Sequence, residues 1–205
     1  QLGNSPYIGT TNPNFTPLIV NIADVKQISA RYAHTCALKN DGTVACWGFN
    51  GLGQLGNEKN NGTENPNFTP LGVNITEVKQ ISVGYAHTCV LKNDGTVACW
   101  GINEFGELGN SLNIGTENPN FIPLDVNISN VKQISVGYAH TCALKNDMSI
   151  FCWGVKFAFG NGQNLNYSDP NFYTNIPEKM ANTQEENIVQ VTAGSYSTCI
   201  LYDTR

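Results

Sequence analysis

The chain has 205 residues and a mass of 22.3 kDa, enough for one or two ordinary domains with a sizeable core. With 40% hydrophobic and only 13% charged residues it is not an intrinsically disordered chain. Its formal charge of −5, from 11 Lys plus Arg against 16 Asp plus Glu, argues against a phosphate-gripping surface and hence against nucleic acid as a partner. No apolar run approaches the roughly 20 residues of a membrane-spanning helix. The first residue is Gln1, without Met or a signal peptide, which reads as a processed form or a fragment.

A repeat organises the chain. The segment Ile81–Gly101 has near copies beginning at Ile28 and Ile134, and Cys36, Cys89 and Cys142 follow at intervals of 53 residues, as do Trp47, Trp100 and Trp153. Pro13, Pro66 and Pro119 keep the same interval inside three NPNF stretches, and a fourth, degenerate copy carries Pro170 and Cys199. The approximate units are 1–53, 54–106, 107–157 and 158–205, the last one degenerate and incomplete.

Within a unit the elements are strands. Val78–Val83 alternates as a half-buried strand does. The run Cys36–Cys46 reads as strand, turn, strand, with Asn40-Asp41-Gly42 supplying the positive φ of a tight hairpin. A turn centred on Asp41 sets Leu38 opposite Val44, Ala37 opposite Ala45, Cys36 opposite Cys46 and Thr35 opposite Trp47. One face then carries His34, Cys36, Leu38, Val44 and Cys46, the other Thr35, Ala37, Ala45 and Trp47. Both are largely apolar, so the hairpin is expected to be packed on both sides, as in stacked or radially arranged sheets. The Gly- and Asn-rich stretches 48–57 and 101–110 are turns, and no helix-length amphipathic pattern is present. The fold class is all-β.

The pattern of Gly-x-x-His-Thr, Leu, a polar turn with Asp-Gly, and Trp-Gly-x-Asn-x-x-Gly-Gln-Leu-Gly resembles the regulator of chromosome condensation repeat. It covers almost the whole chain in register. The resemblance implies β-propeller blades of four antiparallel strands, seven to a ring in that family. Arg31 departs from it, standing where Gly84, Gly137 and Gly194 stand; if the site needs positive φ, the first unit is strained or bends differently there. Four units are too few for the ring. Gln1-Leu2-Gly3-Asn4 corresponds to Gln54-Leu55-Gly56-Asn57, and the expected partner of Cys199 would lie past Arg205. The chain is therefore read as part of a longer propeller, as a building block of an extended array that self-associates through incomplete terminal blades, or as a small domain that closes by itself.

Residues opposite each other across an antiparallel pair approach within disulfide range. The pairs Cys36/Cys46, Cys89/Cys99 and Cys142/Cys152 are accordingly expected as disulfides, with Cys199 unpaired or paired outside the chain. Three disulfides imply a secreted, extracellular or cell-surface location, with the periplasm as a variant. A zinc site is disfavoured, because one His lies near each pair and the cysteines meet each other. His34, His87 and His140 recur without a unique nucleophile or carboxylate partner, so they read as structural hydrogen-bonding residues inside the blade. Asp41, Asp94 and Asp147 belong to turns, and Glu64 and Glu117 recur in loops. A catalytic pair should break the repeat, and no phosphate loop or nucleophile elbow is visible. No enzyme, catalytic residue, cofactor or metal is expected.

Six Asn-x-Ser/Thr acceptors occur, at Asn14, Asn61, Asn67, Asn74, Asn127 and Asn166, a mild excess for a chain with 28 Asn. The founding member of the family that the chain resembles is a nucleotide-exchange factor for a small GTPase that also binds chromatin, a role that fits an acidic, disulfide-bonded chain badly. Secreted relatives of that type include a β-lactamase inhibitory protein. The expected function is a non-catalytic extracellular propeller for protein or glycan interaction. A repeating structural subunit of a surface fibre is the alternative, supported by near-identical loops at constant period, and exchange activity ranks last.

Overall fold

The computed structural model describes residues 19–59, 62, 63, 66–116, 118–160, 165, 168–181 and 187–203. Three four-stranded antiparallel sheets follow one another along the chain. The first runs β1 (Val25–Arg31), β2 (His34–Lys39), β3 (Val44–Gly48) and β4 (Asn67–Val73); the second β5 (Val78–Val83), β6 (His87–Lys92), β7 (Val97–Gly101) and β8 (Asn120–Val126). The third comprises β9 (Val131–Val136), β10 (His140–Lys145), β11 (Ile150–Val155) and β12 (Tyr173–Lys179). β13 (Ile188–Ala193) and β14 (Thr198–Tyr202) form a two-stranded sheet. Each four-stranded sheet takes its fourth strand from the following sequence unit, so the sheets are offset from the 53-residue repeat.

The hairpin register is the one the turn dictates. Leu38 faces Val44, Ala37 faces Ala45, Cys36 faces Cys46 and Thr35 faces Trp47, and the same pairing recurs in β6–β7. At the turn Gly42 adopts φ 82°, and the Asp41 carboxylate accepts the Thr43 backbone N–H at 2.9 Å. In the third hairpin Met148 takes the place of that glycine at φ 69°, and the register survives the exchange: Cys142 still faces Cys152 and Thr141 faces Trp153. All three cysteine pairs, Cys36–Cys46, Cys89–Cys99 and Cys142–Cys152, are closed as disulfides with Cα atoms 4.1 Å apart. Cys199 is exposed and free.

Both hairpin faces are buried because each meets a different sheet. The face with Cys36, Leu38, Val44 and Cys46 packs on Ile81, Val83, Val90, Ala98 and Trp100 of the second sheet. The equivalent face with Cys89, Leu91, Val97 and Cys99 packs on Ile134, Val136, Ala143 and Trp153 of the third. That of the third sheet, with Cys142, Leu144, Ile150 and Cys152, packs on Ile188 and Val191 of β13. The core is thus a series of layers between sheets, each containing one disulfide. β1, β5, β9 and β13 lie side by side as the innermost strands. No described helix is long and apolar enough to cross a membrane.

Closing a loop of about 11 residues stabilises by roughly 3 kcal/mol in the chain-entropy model. Replacing Cys89 and Cys99 together by Ala should lower the unfolding free energy by at least that amount, read from denaturant midpoints at constant slope. An unchanged midpoint would show that the bridge constrains nothing.

Candidate functional site

Recurring side-chain bonds connect successive sheets at each joint. In each joint a histidine from one sheet reaches a threonine of the next: His34 Nε2 to Thr88 Oγ1 at 2.9 Å, His87 to Thr141 at 3.0 Å, His140 to Thr198 at 3.1 Å. Each threonine hydroxyl donates its single proton to a buried carbonyl, that of Gln54, Glu107 or Ala158. The indoles of Trp100 and Trp153 donate to the carbonyls of Gln54 and Glu107 as well, at 3.0 and 2.9 Å. With the hydroxyl proton committed, Nε2–H must be the donor, which leaves Nδ1 as an acceptor. None of the three Nδ1 atoms has a hydrogen-bond partner. Burial pushes the imidazole pKa down to about 3 at His34 and His87 and to about 4 at His140, where the Arg31 charge adds a smaller push. The histidines, expected to bond inside a blade, bond across the joint to the next one.

The innermost strands are joined by a second recurring device. The Gln27 amide donates to the Ile81 carbonyl and accepts the Ile81 N–H, and Gln80 and Gln133 repeat this on Ile134 and Val191. Ser29, Ser82 and Ser135 accept the N–H of Val83, Val136 and Ala193.

One face of the assembly carries the β1–β2 class of turns and the long loops after β3, β7 and β11; the opposite face carries the Asp-Gly turns and the short links between sheets. On the long-loop face Tyr32, Tyr85, Tyr138 and Tyr196 form a ladder, with successive ring centroids 4.2, 4.3 and 5.2 Å apart. Tyr32 is 71% and Tyr196 54% exposed. Tyr196 stands one position later in its unit than Tyr85 and Tyr138 do, with Ser195 in the tyrosine's register. The Arg31 guanidinium crosses the same rim to the Val136 carbonyl at 3.2 Å and the Ser195 hydroxyl at 3.0 Å.

Arg31 also decides the question raised by its glycine counterparts. Gly84 and Gly137 do not have positive φ; they are needed for space, because a Cβ would lie 2.6 and 2.2 Å from the Cε1 of His87 and His140. In the first unit β1 runs one residue further, Arg31 pairs with His34, and Tyr32 takes the left-handed turn at φ 47°. The first unit bends differently.

Beside the ladder lies a cleft of about 490 Å³, lined by Tyr85, Tyr138, Phe105, Glu104 and Glu107 together with small and aliphatic residues. The Glu107 side chain is 2% exposed, and its Oε2 accepts the Phe105 N–H at 2.7 Å. Gln54 makes the equivalent bond to the Leu52 N–H one unit earlier. Burial, with a smaller contribution from the Glu104 charge, pushes the Glu107 carboxyl up to about 8. The long loops are shaped by buried asparagines: Asn50 donates to the carbonyls of Asn57 and Lys59 and accepts the Leu55 N–H, and Asn103 repeats the set. After β11, Lys156 stands in that register, the segment Lys156–Phe159 is a 3-10 helix, and Lys156 pairs with Glu178 at 2.9 Å.

The regulator of chromosome condensation (RCC1) repeat matches residues 25–54, 78–107 and 131–164 in one form and 41–91 and 94–144 in another. The chain belongs to the RCC1 repeat family. It is 34% identical over 199 residues to the human probable E3 ubiquitin-protein ligase HERC6, covering 90% of this chain and 18% of that protein. It is 28% identical over 205 residues to the ultraviolet-B receptor UVR8 of Arabidopsis thaliana, covering 95% of this chain and 42% of the receptor. Prp20p of Saccharomyces cerevisiae, at 22% identity, superposes with a TM-score of 0.72 over 87% of this chain and 43% of its own. The chain thus spans less than half the length of these relatives, and the sheets are blades of a β-propeller.

The turn aspartates, the joint histidines and the paired cysteines recur with the RCC1 repeat and lie apart from the cleft. None of Cys36, Cys46, Cys89, Cys99, Cys142 and Cys152 lines it. Cys142 and Cys152, like the two earlier pairs, are fully buried between sheets, so these six residues staple blades and offer nothing to a ligand. Of the glycosylation acceptors, Asn74 and Asn127 are exposed on the short links between blades. Asn67 opens β4, is 4% exposed, and donates to the Lys59 carbonyl, which leaves no room for a glycan. Asn14, Asn61 and Asn166, and the loop residues Glu64 and Glu117, lie outside the described residues. Among the described residues no group of His, Cys, Asp and Glu is arranged to hold a metal ion. Sequence reasoning passed over the tyrosine ladder and Glu107. The signal for Glu107 was present, since it breaks the repeat where Gln54 stands.

Two pH effects of opposite sign follow. Each histidine titrates near 6.5 unfolded and at 3 to 4 folded, so stability is complete above about pH 6.5 and falls below it by about 1.4 kcal/mol per pH unit per histidine. Urea midpoints should decline from pH 7 to pH 5, and a flat profile would contradict neutral burial. Glu107, near 4.5 unfolded and about 8 folded, costs stability as pH rises between those values. Glu107→Gln, which copies Gln54, should therefore raise stability at pH 7 by up to about 3 kcal/mol. A loss of stability in the same urea titration would refute this.

Proposed function

We propose that this chain belongs to a non-catalytic extracellular propeller that holds a protein or glycan partner on its tyrosine rim. The observation that carries the reading is the ladder itself: four tyrosines in ring contact, both ends exposed, on the face that also bears the long loops. Rigid amphipathic rings contribute large contact area at low entropic cost, which is why they dominate protein interfaces, and their faces suit sugar rings equally. The three disulfides and the exposed Asn74 and Asn127 support an oxidising, secretory setting. The acidic balance of the chain speaks against chromatin as partner. Ligase and photoreceptor activities belong to relatives of which this chain spans 18% and 42%.

The fibre reading draws support from the joints, whose side-chain bonds recur at separations of 54 residues and are repeatable in principle without limit. The binding reading is preferred because the long loops differ between units where they meet the ladder.

Screening the protein on arrays of glycans and extracellular proteins tests the proposal. Tyr32→Ala and Tyr196→Ala should each weaken the partner found there at least tenfold with little change in melting temperature. Binding that ignores both substitutions would exclude the rim, and six reduced cysteines in native material would exclude the extracellular setting.

A further inference from the structure

Comparing the two complete long loops shows where this repeat permits change. Residues 49–57 and 102–110 share Asn, Gly, Leu, Gly and Asn, and differ at four positions: Phe49 against Ile102, Gly51 against Glu104, Leu52 against Phe105 and Gln54 against Glu107. All four of the later residues line the cleft of about 490 Å³ beside Tyr85 and Tyr138. None of the shared ones does. The changes bring two carboxyl groups and a third aromatic ring to one place, and among the described residues no cationic side chain lines it.

We infer that this cleft receives a basic side chain, arginine or lysine, presented by a partner protein. The inference rests on the reading of the tyrosine rim as a binding face and specifies its chemistry.

Three features point to a cation. The Glu107 side chain is 2% exposed and lines the cleft, and its carboxyl is met by backbone N–H groups, those of Phe105 and of Glu107 itself, with no cation beside it. A carboxyl buried in this way stays protonated until an opposite charge is brought beside it, and among the described residues no cation stands there. Tyr85 and Tyr138 stack at 4.3 Å and Phe105 meets Phe172 edge-on at 5.6 Å, so the cleft has an aromatic wall that suits the methylene stem of an arginine or lysine. Glu104 is exposed at the mouth, where it attracts a positive group before contact. Arg31, the cation of the same rim, is committed to the Val136 carbonyl and Ser195 and does not line the cleft. The volume exceeds that of one ammonium or guanidinium head, which fits a side chain entering with its stem and flanking peptide. The net charge of −5 favours a basic partner.

The test uses acetyl-Ala-Arg-Ala-amide, its citrulline counterpart and tetramethylammonium, titrated against the protein while the tyrosine ring signals are followed by NMR. The reference variant combines Glu104→Gly, Phe105→Leu and Glu107→Gln. It restores residues that the neighbouring unit already folds with, and its melting curve checks that it does so. The arginine peptide should shift the Tyr85 and Tyr138 signals, bind at least tenfold more tightly than the citrulline peptide, and lose at least tenfold on the variant. Equal binding of the citrulline peptide, or an unaffected variant, would overturn the inference. Tighter binding of tetramethylammonium than of the arginine peptide would overturn the assignment to a peptide side chain. If Tyr32→Ala and Tyr196→Ala abolish binding of the array partner while the triple variant leaves it intact, the binding face stands and the basic side chain falls.

Discussion

A single buried carbonyl organises each joint between blades. The oxygen of residue 54, and again of residue 107, accepts both an indole N–H and a threonine hydroxyl from the next blade, and the threonine in turn accepts a histidine N–H from the preceding one. Two side chains of one blade thereby converge on one backbone atom, and a third, from the preceding blade, is tied to it through the threonine hydroxyl. Removing the threonine leaves the buried Nε2–H of the histidine without its partner, the costly case for a hydrogen bond. The participants in a joint come from successive units, with histidine and threonine 54 residues apart in the first two joints and 58 in the third. Length changes fall outside the joints: after β11 a 3-10 helix replaces the asparagine-held turn, and the link from β12 to β13 is longer than those from β4 to β5 and from β8 to β9.

The same joint divides the surface into two kinds of face. On one, the hairpin turns are shaped by local bonds such as Asp41 to Thr43, which Asp147 repeats on Ser149 although Met148 replaces the glycine. On the other, the loops begin beside the joint carbonyl and end in solvent, so their side chains change without disturbing the core. Glu107 belongs to both worlds: its carbonyl serves Thr141 and Trp153, and the residue lines the cleft. That double duty explains how a residue so deeply buried can still differ from its counterpart Gln54. The backbone atom serves the joint, and the side chain keeps the loop bond to Phe105 that Gln54 makes to Leu52.

Much of the hairpin was legible in the residues. A turn centred on Asp41 implies every cross-strand pair up to Thr35 and Trp47, including the cysteine pair, because side chains in a strand alternate with a period of two. The same count of ten residues carried over to Cys142 and Cys152, although the turn between them lacks its glycine. Two apolar faces likewise implied neighbours on both sides. The histidines were legible as structural, but their partners were not, since Thr88 belongs to a different blade from His34 and no local rule links them. Gly84 read as a backbone requirement and turned out to be a steric one set by the His87 ring. Tyr196 was hidden by a one-position slip that only the stacking on Tyr138 reveals.

By itself the sequence determined the strands, their hairpin register, the repeat and the propeller family, because these rest on short-range periodicity and on recurrence at a constant interval. The tertiary structure alone decided which faces meet, which carbonyl serves two donors, and that Tyr85, Tyr138, Phe105, Glu104 and Glu107 surround one cleft. The physical reason is that contact between blades depends on how far each sheet is rotated about the common axis, a quantity that no single unit encodes.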